Sequence, residues 1–159
     1  MMIKGLIDED FINYKLPSMY VCSSVCDFKC EKESEVHCCQ NSDLAKQKTI
    51  NIDDTTIIGR YLKNPITKAI VIAGLEPFDQ FDEVAEFITK LRFQYTCNDP
   101  VVIYTGYNKT EVSSQVEELK TFGNIIVKFG RFIPNQEKHY DEVLGVELAS
   151  PNQYAEVIS

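Results

Sequence analysis

The most constraining feature of this chain is a continuous apolar run at residues 69–73, Ala-Ile-Val-Ile-Ala, in which polar and apolar side chains do not alternate. A strand with this pattern is typically buried on both faces, as in the centre of a parallel sheet. Residues 101–104 repeat the pattern, and residues 125–127 repeat it in shorter form. A further short strand is predicted at residues 17–22. The sequence therefore predicts a parallel sheet at the core of the molecule.

Amphipathic helices are predicted in the segments that separate these strands. Asp53 or Asp54 can cap the first helix, and this helix ends at Asn64 and Pro65. The second helix spans residues 79–92 and has apolar side chains at helical spacing. The third helix aligns the side chains of Val112, Val116 and Leu119. Such alternation favours right-handed crossover units, with functional residues at the carboxyl ends of the strands.

Length and composition predict one soluble domain. The chain has 159 residues, of which 44% are apolar, and this is enough to bury one core. Its formal net charge of -8 argues against binding of nucleic acid, because phosphate contacts need clustered Lys and Arg. No apolar stretch approaches the roughly 20 residues that a membrane helix needs, and no secretory segment opens the chain. We therefore expect a cytoplasmic protein that binds neither nucleic acid nor membrane.

Cysteine is concentrated in one part of the chain. Five of the six cysteines lie within residues 22–39, and only Cys97 lies elsewhere. A stapling framework of disulfides would spread them out, whereas clustered thiols under reducing conditions favour a metal centre. Thiolates of Cys26, Cys30 and Cys39 can hold three irons of a four-iron, four-sulfur cluster. The fourth iron then has an open coordination position, where chemistry can occur.

The cysteine-rich segment, residues 23–48, shows neither strand nor helix period and is predicted to be a long loop that a bound metal orders. Within it, Phe28 would shield a cluster and tune its potential. A structural zinc ion is the alternative occupant of this segment. Zinc takes four ligands, and Cys22, Cys38 or His37 could complete such a set. Spacing alone leaves both metals open.

A second candidate site follows the central apolar run, at residues 74–77, Gly-Leu-Glu-Pro. Gly74 allows close backbone approach, Glu76 offers a carboxylate to an ammonium group, and Pro77 fixes the turn. Taken alone this tetrapeptide is a weak signal, because Gly and Pro commonly end strands and a Glu on a turn is usually solvated.

Four ordered motifs resemble the radical S-adenosylmethionine (SAM) superfamily, and specifically the small activating proteins of anaerobic ribonucleoside-triphosphate reductase. That family has a CxxxCxxC cluster motif ending in Cys-Tyr-Asn and a Gly-Gly-Glu-Pro clamp for the SAM amino group. It also has a strand ending Tyr-Thr-Gly-Tyr and a Ser-x-Asn-Gln signature near its C-terminus. The similar segments here, which span most of the chain, are Cys26 with Cys30, Cys39-Gln40-Asn41, Gly74-Leu75-Glu76-Pro77, Tyr104-Thr105-Gly106-Tyr107 and Ser150-Pro151-Asn152-Gln153.

The chain departs from the family pattern in the cluster motif. Eight residues separate Cys30 from Cys39, where the family has two, so the loop must bulge before it returns the third thiolate. Glu33 stands where strict spacing would place that third cysteine. Cys38 and Cys22 are therefore alternative third ligands.

Two further departures lie outside the cluster motif. Leu75 replaces the second Gly of the clamp but leaves Glu76 in register. The family's Asp-Gly-Pro-Phe segment corresponds here to Lys128-Phe129-Gly130-Arg131-Phe132, which lacks the acid. The second change bears on the protein partner rather than on the SAM chemistry.

The resemblance implies a fold and an activity. The fold would be an α/β partial barrel of parallel strands, TIM-like and open on one side. Residues 1–159 would form a single radical SAM domain, with residues 23–48 as its cluster-binding loop. The activity would be release of a 5'-deoxyadenosyl radical from SAM and abstraction of a hydrogen atom from a backbone glycine of the large reductase subunit. A reducing donor such as flavodoxin would supply the electron.

The resemblance also implies which residues form the site. Cys26, Cys30 and Cys39 would hold a 4Fe-4S cluster. The residues expected to form the SAM site are Gly74, Leu75, Glu76, Pro77, Phe28, Asn41 and Thr105. Two alternatives remain open. The radical could act on another glycyl radical protein or on a peptide, or the chain could be a non-catalytic zinc or iron-sulfur binding module.

Overall fold

One mixed sheet organises the computed structural model of this protein, which describes residues 1–159. The strands are β1 Met2–Asp10, β2 Ser18–Ser23, β3 Ile50–Asn51, β4 Ala69–Gly74, β5 Val101–Tyr104, β6 Ile125–Phe129, β7 His139–Asp141, β8 Val146–Leu148 and β9 Tyr154–Val157. The α-helices are α1 Lys29–Ser34, α2 Ser42–Lys46, α3 Asp54–Lys63, α4 Phe81–Thr89 and α5 Ser113–Lys120. Seven strands form the sheet in the order β3-β1-β2-β4-β5-β6-β9, and β7 and β8 form a separate hairpin.

The predicted partial barrel of parallel strands is wrong. Strands β2, β4, β5 and β6 are indeed parallel, and α3, α4 and α5 lie in the connections between them. The outer strands run the other way, since β1 is antiparallel to β2 and to β3, and β9 is antiparallel to β6. The result is an open mixed sheet of 7 strands rather than a barrel.

The two strands that change the architecture, β1 and β9, escaped prediction for a physical reason. β1 carries Lys4, Asp8 and Glu9 among its apolar residues, and β9 is only 4 residues long with both ends exposed. Half-exposed strands lack the continuous apolar run that marks the centre of a parallel sheet. Their positions in the sheet depend on partners that are distant in sequence, so local pattern does not reveal them.

The predicted helices between the central strands are present. Asp53 caps α3, and its carboxylate accepts a hydrogen bond from the Thr55 backbone N–H at 2.7 Å. The second predicted helix is divided into a 3-10 turn at Pro77–Gln80, α4, and a π turn at Lys90–Gln94. The third begins with a 3-10 turn at Lys109–Val112 that leads into α5.

The helices are short, and α3, α4 and α5 pack on one face of the sheet. None of them is both long enough and apolar enough to cross a membrane. The core between helices and sheet includes the fully buried side chains of Ile70, Ile72, Phe87, Ile88 and Leu119. The opposite face of the sheet is covered by a smaller apolar cluster that includes Tyr14, Val71, Val102, Leu144 and Leu148.

The cysteine-rich segment is not a structureless loop, contrary to the sequence-based expectation. It contains α1 and α2, and neither of these helices buries a residue. Without a buried stripe they show no apolar period, which explains why sequence reasoning did not detect them. Phe28 and Glu35 flank α1 in left-handed backbone conformations, with φ of 56° and 55°.

Gly74 lets the end of β4 approach β2 closely. Its φ is +94°, and a Cβ atom on this residue would lie 2.9 Å from the Cα of Cys22. Only glycine adopts this conformation readily and leaves room for the neighbouring backbone. The strand end that begins the Gly-Leu-Glu-Pro segment is thereby seated directly beside the strand that leads into the cysteine-rich segment.

Candidate metal and cofactor site

A cavity of about 320 Å³ lies at the carboxyl ends of the parallel strands. Glu76, Thr105 and Gly130 line it from the turns after β4, β5 and β6. The cysteine-rich segment supplies another wall, and β8 with the turn after β1 supplies the rest. This is the edge of a parallel sheet at which ligands generally bind.

The predicted cluster ligands meet at this cavity. Cys26, Cys30 and Cys39 all line it, and the thiols of Cys30 and Cys39 are close enough to interact. The alternative ligands do not line the cavity, although the Cys38 sulfur lies 3.9 Å from the Cys30 carbonyl oxygen. The Cys38 sulfur is 3.1 Å from the Ser34 hydroxyl, and Cys22 is buried within β2. All three cysteines that the resemblance selects therefore line one cavity, and their role as cluster ligands stays a prediction.

The electrostatics of these thiols suit a metal centre that supplies its own positive charge. Burial, with a smaller effect from the nearby carboxylates of Glu76 and Asp79, raises the pKa of Cys26 to about 12. Burial also raises the pKa of Cys30 to about 11, reinforced by its neighbours Cys39 and Cys38. No lysine or arginine offsets these shifts, so the thiolates need the charge of bound iron to form. The donor set thus fits an iron-sulfur cluster.

A mononuclear zinc site is not assembled among the candidate ligands. His37 is largely exposed, and its Nδ1 lies 2.8 Å from a carboxylate oxygen of Glu31. Only Cys26, Asp27 and Asp79 bring three potential ligand atoms within 4.8 Å of one another. Zinc in structural sites takes four ligands in tetrahedral geometry, and this group offers three in a partly exposed position. Exposed acidic groups often lie together without a metal, so this trio carries no assignment.

Phe28 and Pro77 take structural positions beside the cavity rather than on its wall. The backbone N–H of Phe28 donates to the Cys26 sulfur at 3.2 Å, a contact of the kind that tunes cluster potentials. Pro77 is buried and begins the 3-10 turn after β4. The predicted shielding by the Phe28 side chain stays a prediction, since that side chain does not line the cavity.

Glu76 braces the ends of β4 and β5. Its Oε1 accepts hydrogen bonds from the Thr105 hydroxyl at 2.7 Å and the Phe78 N–H at 3.1 Å, and its Oε2 accepts one from the Gly106 N–H at 2.8 Å. Burial nevertheless raises the pKa of Glu76 to about 7, because these bonds only partly offset desolvation. The carboxylate lines the cavity and would gain from a cationic partner there.

Asn41 connects the cysteine-rich segment to the same strand end. Its side-chain amide donates to the Gly74 carbonyl at 2.5 Å. The backbone N–H of Glu76 donates to the Val25 carbonyl at 2.8 Å. Asn41, Gly74, Leu75, Glu76 and Thr105 therefore surround one end of the cavity, next to the three cysteines.

The Ser-Pro-Asn-Gln segment near the C-terminus holds the turn after β6. The side-chain amide of Asn152 donates to the Arg131 carbonyl at 2.8 Å, and that of Gln153 donates to the Gly130 carbonyl at 3.3 Å. Ser150 and Gln153 are both buried. This segment shapes the cavity wall through the backbone that it supports.

Sequence reasoning missed an ion-pair network that fastens the cysteine-rich segment to the sheet. The Arg131 guanidinium forms a bidentate pair with Glu111, with both N–O distances 2.7 Å, and also lies 3.0 Å from Glu33. Lys29 pairs with Glu111 at 2.9 Å. Lys29 and Glu33 both belong to α1, so the network joins that helix to the turns after β5 and β6. Glu33, which stands at the strict third-cysteine position, is thus a structural anchor here.

We expect Arg131→Gln to loosen the cysteine-rich segment while the sheet stays folded. The Arg131 side chain is only 9% exposed, and loss of its charge leaves Glu33 without a cationic partner and Glu111 with Lys29 alone. Cleavage within residues 23–48 by a glutamate-specific protease should accelerate about tenfold, because local opening becomes easier. Lys120→Gln is the matched control, since Lys120 pairs with the exposed Glu117 at 2.6 Å. Equal cleavage of the two variants would show that the network does not restrain the segment.

Three clustered, partly buried thiols on the wall of one cavity define the class of this protein as one that binds a metal-sulfur centre. Residues 18–152 match the family model described as 4Fe-4S single cluster domain. The chain belongs to this family, and a 4Fe-4S cluster is therefore its cofactor. Comparisons with curated proteins and with solved structures find no match.

Proposed function

We propose that this protein is a radical SAM enzyme that installs a glycyl radical on a protein partner. The observation that carries the proposal is that the three cysteines line one cavity with Gly74, Leu75 and Glu76. A hydrogen bond from the Asn41 side chain to the Gly74 carbonyl joins the cysteine-rich segment to this strand end. Membership of the 4Fe-4S single cluster family is consistent with radical SAM chemistry. The motif resemblance supports the finer assignment to activators of anaerobic ribonucleotide reductase. In this proposal, residues 1–159 act as a single domain.

The chain's own residues have distinct roles in this proposal. Cys26, Cys30 and Cys39 would hold the cluster, and three thiolates would leave one of its four irons without a protein ligand. Glu76 receives the methionyl ammonium of SAM, because its carboxylate is buried on the cavity wall and has no cationic partner within ion-pair distance. Asn41 keeps the cysteine-rich segment against the strand end that carries Glu76.

The chemistry that a bound, reduced cluster supplies is one electron to the SAM sulfonium, whose C5'–S bond breaks to give methionine and a 5'-deoxyadenosyl radical. The residues around the cavity exclude water from that radical and orient it towards its hydrogen donor. The proposed donor is a backbone glycine of the large subunit of anaerobic ribonucleotide reductase or of another glycyl radical protein. The proposed electron source is a low-potential donor such as flavodoxin.

Anaerobic reconstitution with iron and sulfide tests this function directly. Electron paramagnetic resonance of the dithionite-reduced protein should show a cubane signal that changes when SAM is added. 5'-Deoxyadenosine should then accumulate with one methionine for each molecule formed. A cluster that forms but ignores SAM would instead identify a non-catalytic iron-sulfur module. A glycyl radical signal on addition of the reductase large subunit would establish the partner.

A further inference from the structure

Lys128 is a buried lysine that the proposed chemistry does not use. It lies in β6 on the face of the sheet that bears the cavity, where it is 6% exposed and lines the cavity wall. Its Nζ donates to the Gly130 carbonyl at 2.9 Å and lies 6.0 Å from the centre of the Tyr104 ring. A lysine ammonium has three N–H donors, so this single hydrogen bond leaves two of them unused.

Lys128 differs from the other cations of the cavity wall because it has no acidic partner. Arg131 and Lys29 also line the cavity, but both are paired with Glu111. No carboxylate oxygen lies within 4.0 Å of Lys128 Nζ. Lysine is almost never fully buried unless it is paired. The cavity therefore contains one cation without an ion-pair partner, on which Glu76 acts only from beyond 4.0 Å.

The cost of this arrangement to the fold is real. Burial lowers the pKa of Lys128 to about 8, with Glu76 the only charged group that opposes the shift. A methionine of similar length at this position would avoid the desolvation of an ammonium group. Residues that destabilise the fold in this way tend to be retained where a ligand needs them.

We propose that Lys128 binds the anionic group, a carboxylate or a phosphate, of a small molecule that occupies the cavity. The cavity volume of about 320 Å³ suits one small molecule. A charge-assisted hydrogen bond to an anion would use the free N–H groups and supply the missing counter-charge. The anion has two possible sources, the methionyl carboxylate of an adenosyl cofactor or a separate small substrate. The proposal stands independently of whether radical chemistry follows.

The test compares Lys128→Met with the native chain, both loaded with cluster, oxidised and kept anaerobic. Binding is measured calorimetrically for S-adenosylhomocysteine, for its decarboxylated analogue and for inorganic phosphate. If the cofactor carboxylate is the anion, the substitution lowers the affinity for S-adenosylhomocysteine about ten- to a hundredfold. The affinity for the decarboxylated analogue then stays unchanged. If a separate substrate supplies the anion, both adenosyl ligands bind as before and only the native chain binds phosphate. Equal affinities of the native chain and the variant for all three probes would overturn the proposal.

Thermal unfolding separates a binding role from a structural one. Lys128→Met should raise the melting temperature by about 3 °C, because the buried ammonium is removed while Gln153 still donates to the Gly130 carbonyl. A lysine that held the fold together would instead lower it. Lys120→Met, at an exposed ion pair, is the control and should change neither binding nor melting. Lys128→Gln provides the binding comparison if the methionine variant does not fold.

Discussion

Cys39→Ala is expected to abolish cluster assembly, whereas Cys38→Ala and Cys22→Ala should leave it intact. Cys39 lines the cavity with Cys26 and Cys30, while Cys38 contacts Ser34 and Cys22 is buried in β2. A cubane bound by three thiolates has no spare protein ligand. Loss of one should therefore reduce bound iron and sulfide to below about a tenth of the native content. Visible absorption and iron analysis after anaerobic reconstitution measure the outcome.

The three cysteine variants also decide the third ligand against its alternatives. Cys38 is adjacent in sequence to Cys39, and a shift of the segment could exchange them. Iron retained in Cys39→Ala and lost in Cys38→Ala would assign the ligand to Cys38. None of the three substitutions removes a large core side chain, so circular dichroism of the apo-proteins should be alike. That comparison shows that any loss of iron reflects ligand loss rather than unfolding.

Glu76→Gln is the second substitution with a large expected effect, and it should remove SAM binding. An ammonium bound to a buried carboxylate forms a charge-assisted hydrogen bond. The neutral amide should therefore lower the affinity for SAM about a hundredfold or more. The amide also cannot accept on both sides. One of the bonds from Thr105, Phe78 and Gly106 is lost, and stability should fall by about 1–3 kcal/mol. Calorimetric titration of the reconstituted variant measures the first effect, and urea unfolding measures the second.

A control of similar stability keeps the two effects of Glu76→Gln apart. Ile103→Val removes one buried methylene from the core behind β5 and costs about 1 kcal/mol. It should bind SAM normally although it is less stable. Native SAM affinity in Glu76→Gln would count against the clamp assignment, and equal weakening in both variants would attribute the loss to the fold.

The raised pKa of Glu76 adds a dependence on pH with a definite sign. Burial raises this pKa from 4.5 to about 7 in the folded chain, so the folded state holds a proton that the unfolded state releases in this interval. The contribution of Glu76 to stability therefore falls as pH rises from about 4.5 to 7. SAM affinity should rise over the same interval, because only the ionised carboxylate attracts an ammonium. Glu76→Gln should remove both slopes.

Some features of the site were visible in the sequence because their chemistry is local. Five of the six cysteines lie within residues 22–39, and this clustering predicted a metal centre. The strand end at Gly74 was also predicted, since the apolar run stops at this glycine. Lys128 was not, because a lysine after three apolar residues looks like the solvated end of a strand. Lys128 is buried only because the β7–β8 hairpin and the turns around the cavity cover it in the folded chain.

The network around Arg131 shows the same limit on a larger scale. Arg131, Glu111 and Glu33 come from three segments that are far apart in the chain, and none of them stands out locally. Charged residues at turns are usually solvated, so sequence favours that interpretation. The pairing arises only when α1 is laid across the ends of β5 and β6.

The amino-acid sequence by itself determined the strands of the parallel centre, the helices between them and the cluster-binding character of the cysteines. These follow from side-chain periodicity and thiol chemistry, which act over a few residues. Only the tertiary structure decided that antiparallel strands flank the parallel centre on both sides. It also decided that the sheet does not curl into a barrel and that the cavity encloses an unpaired lysine. Strand pairing and burial depend on contacts between distant segments, and a local pattern carries no record of them.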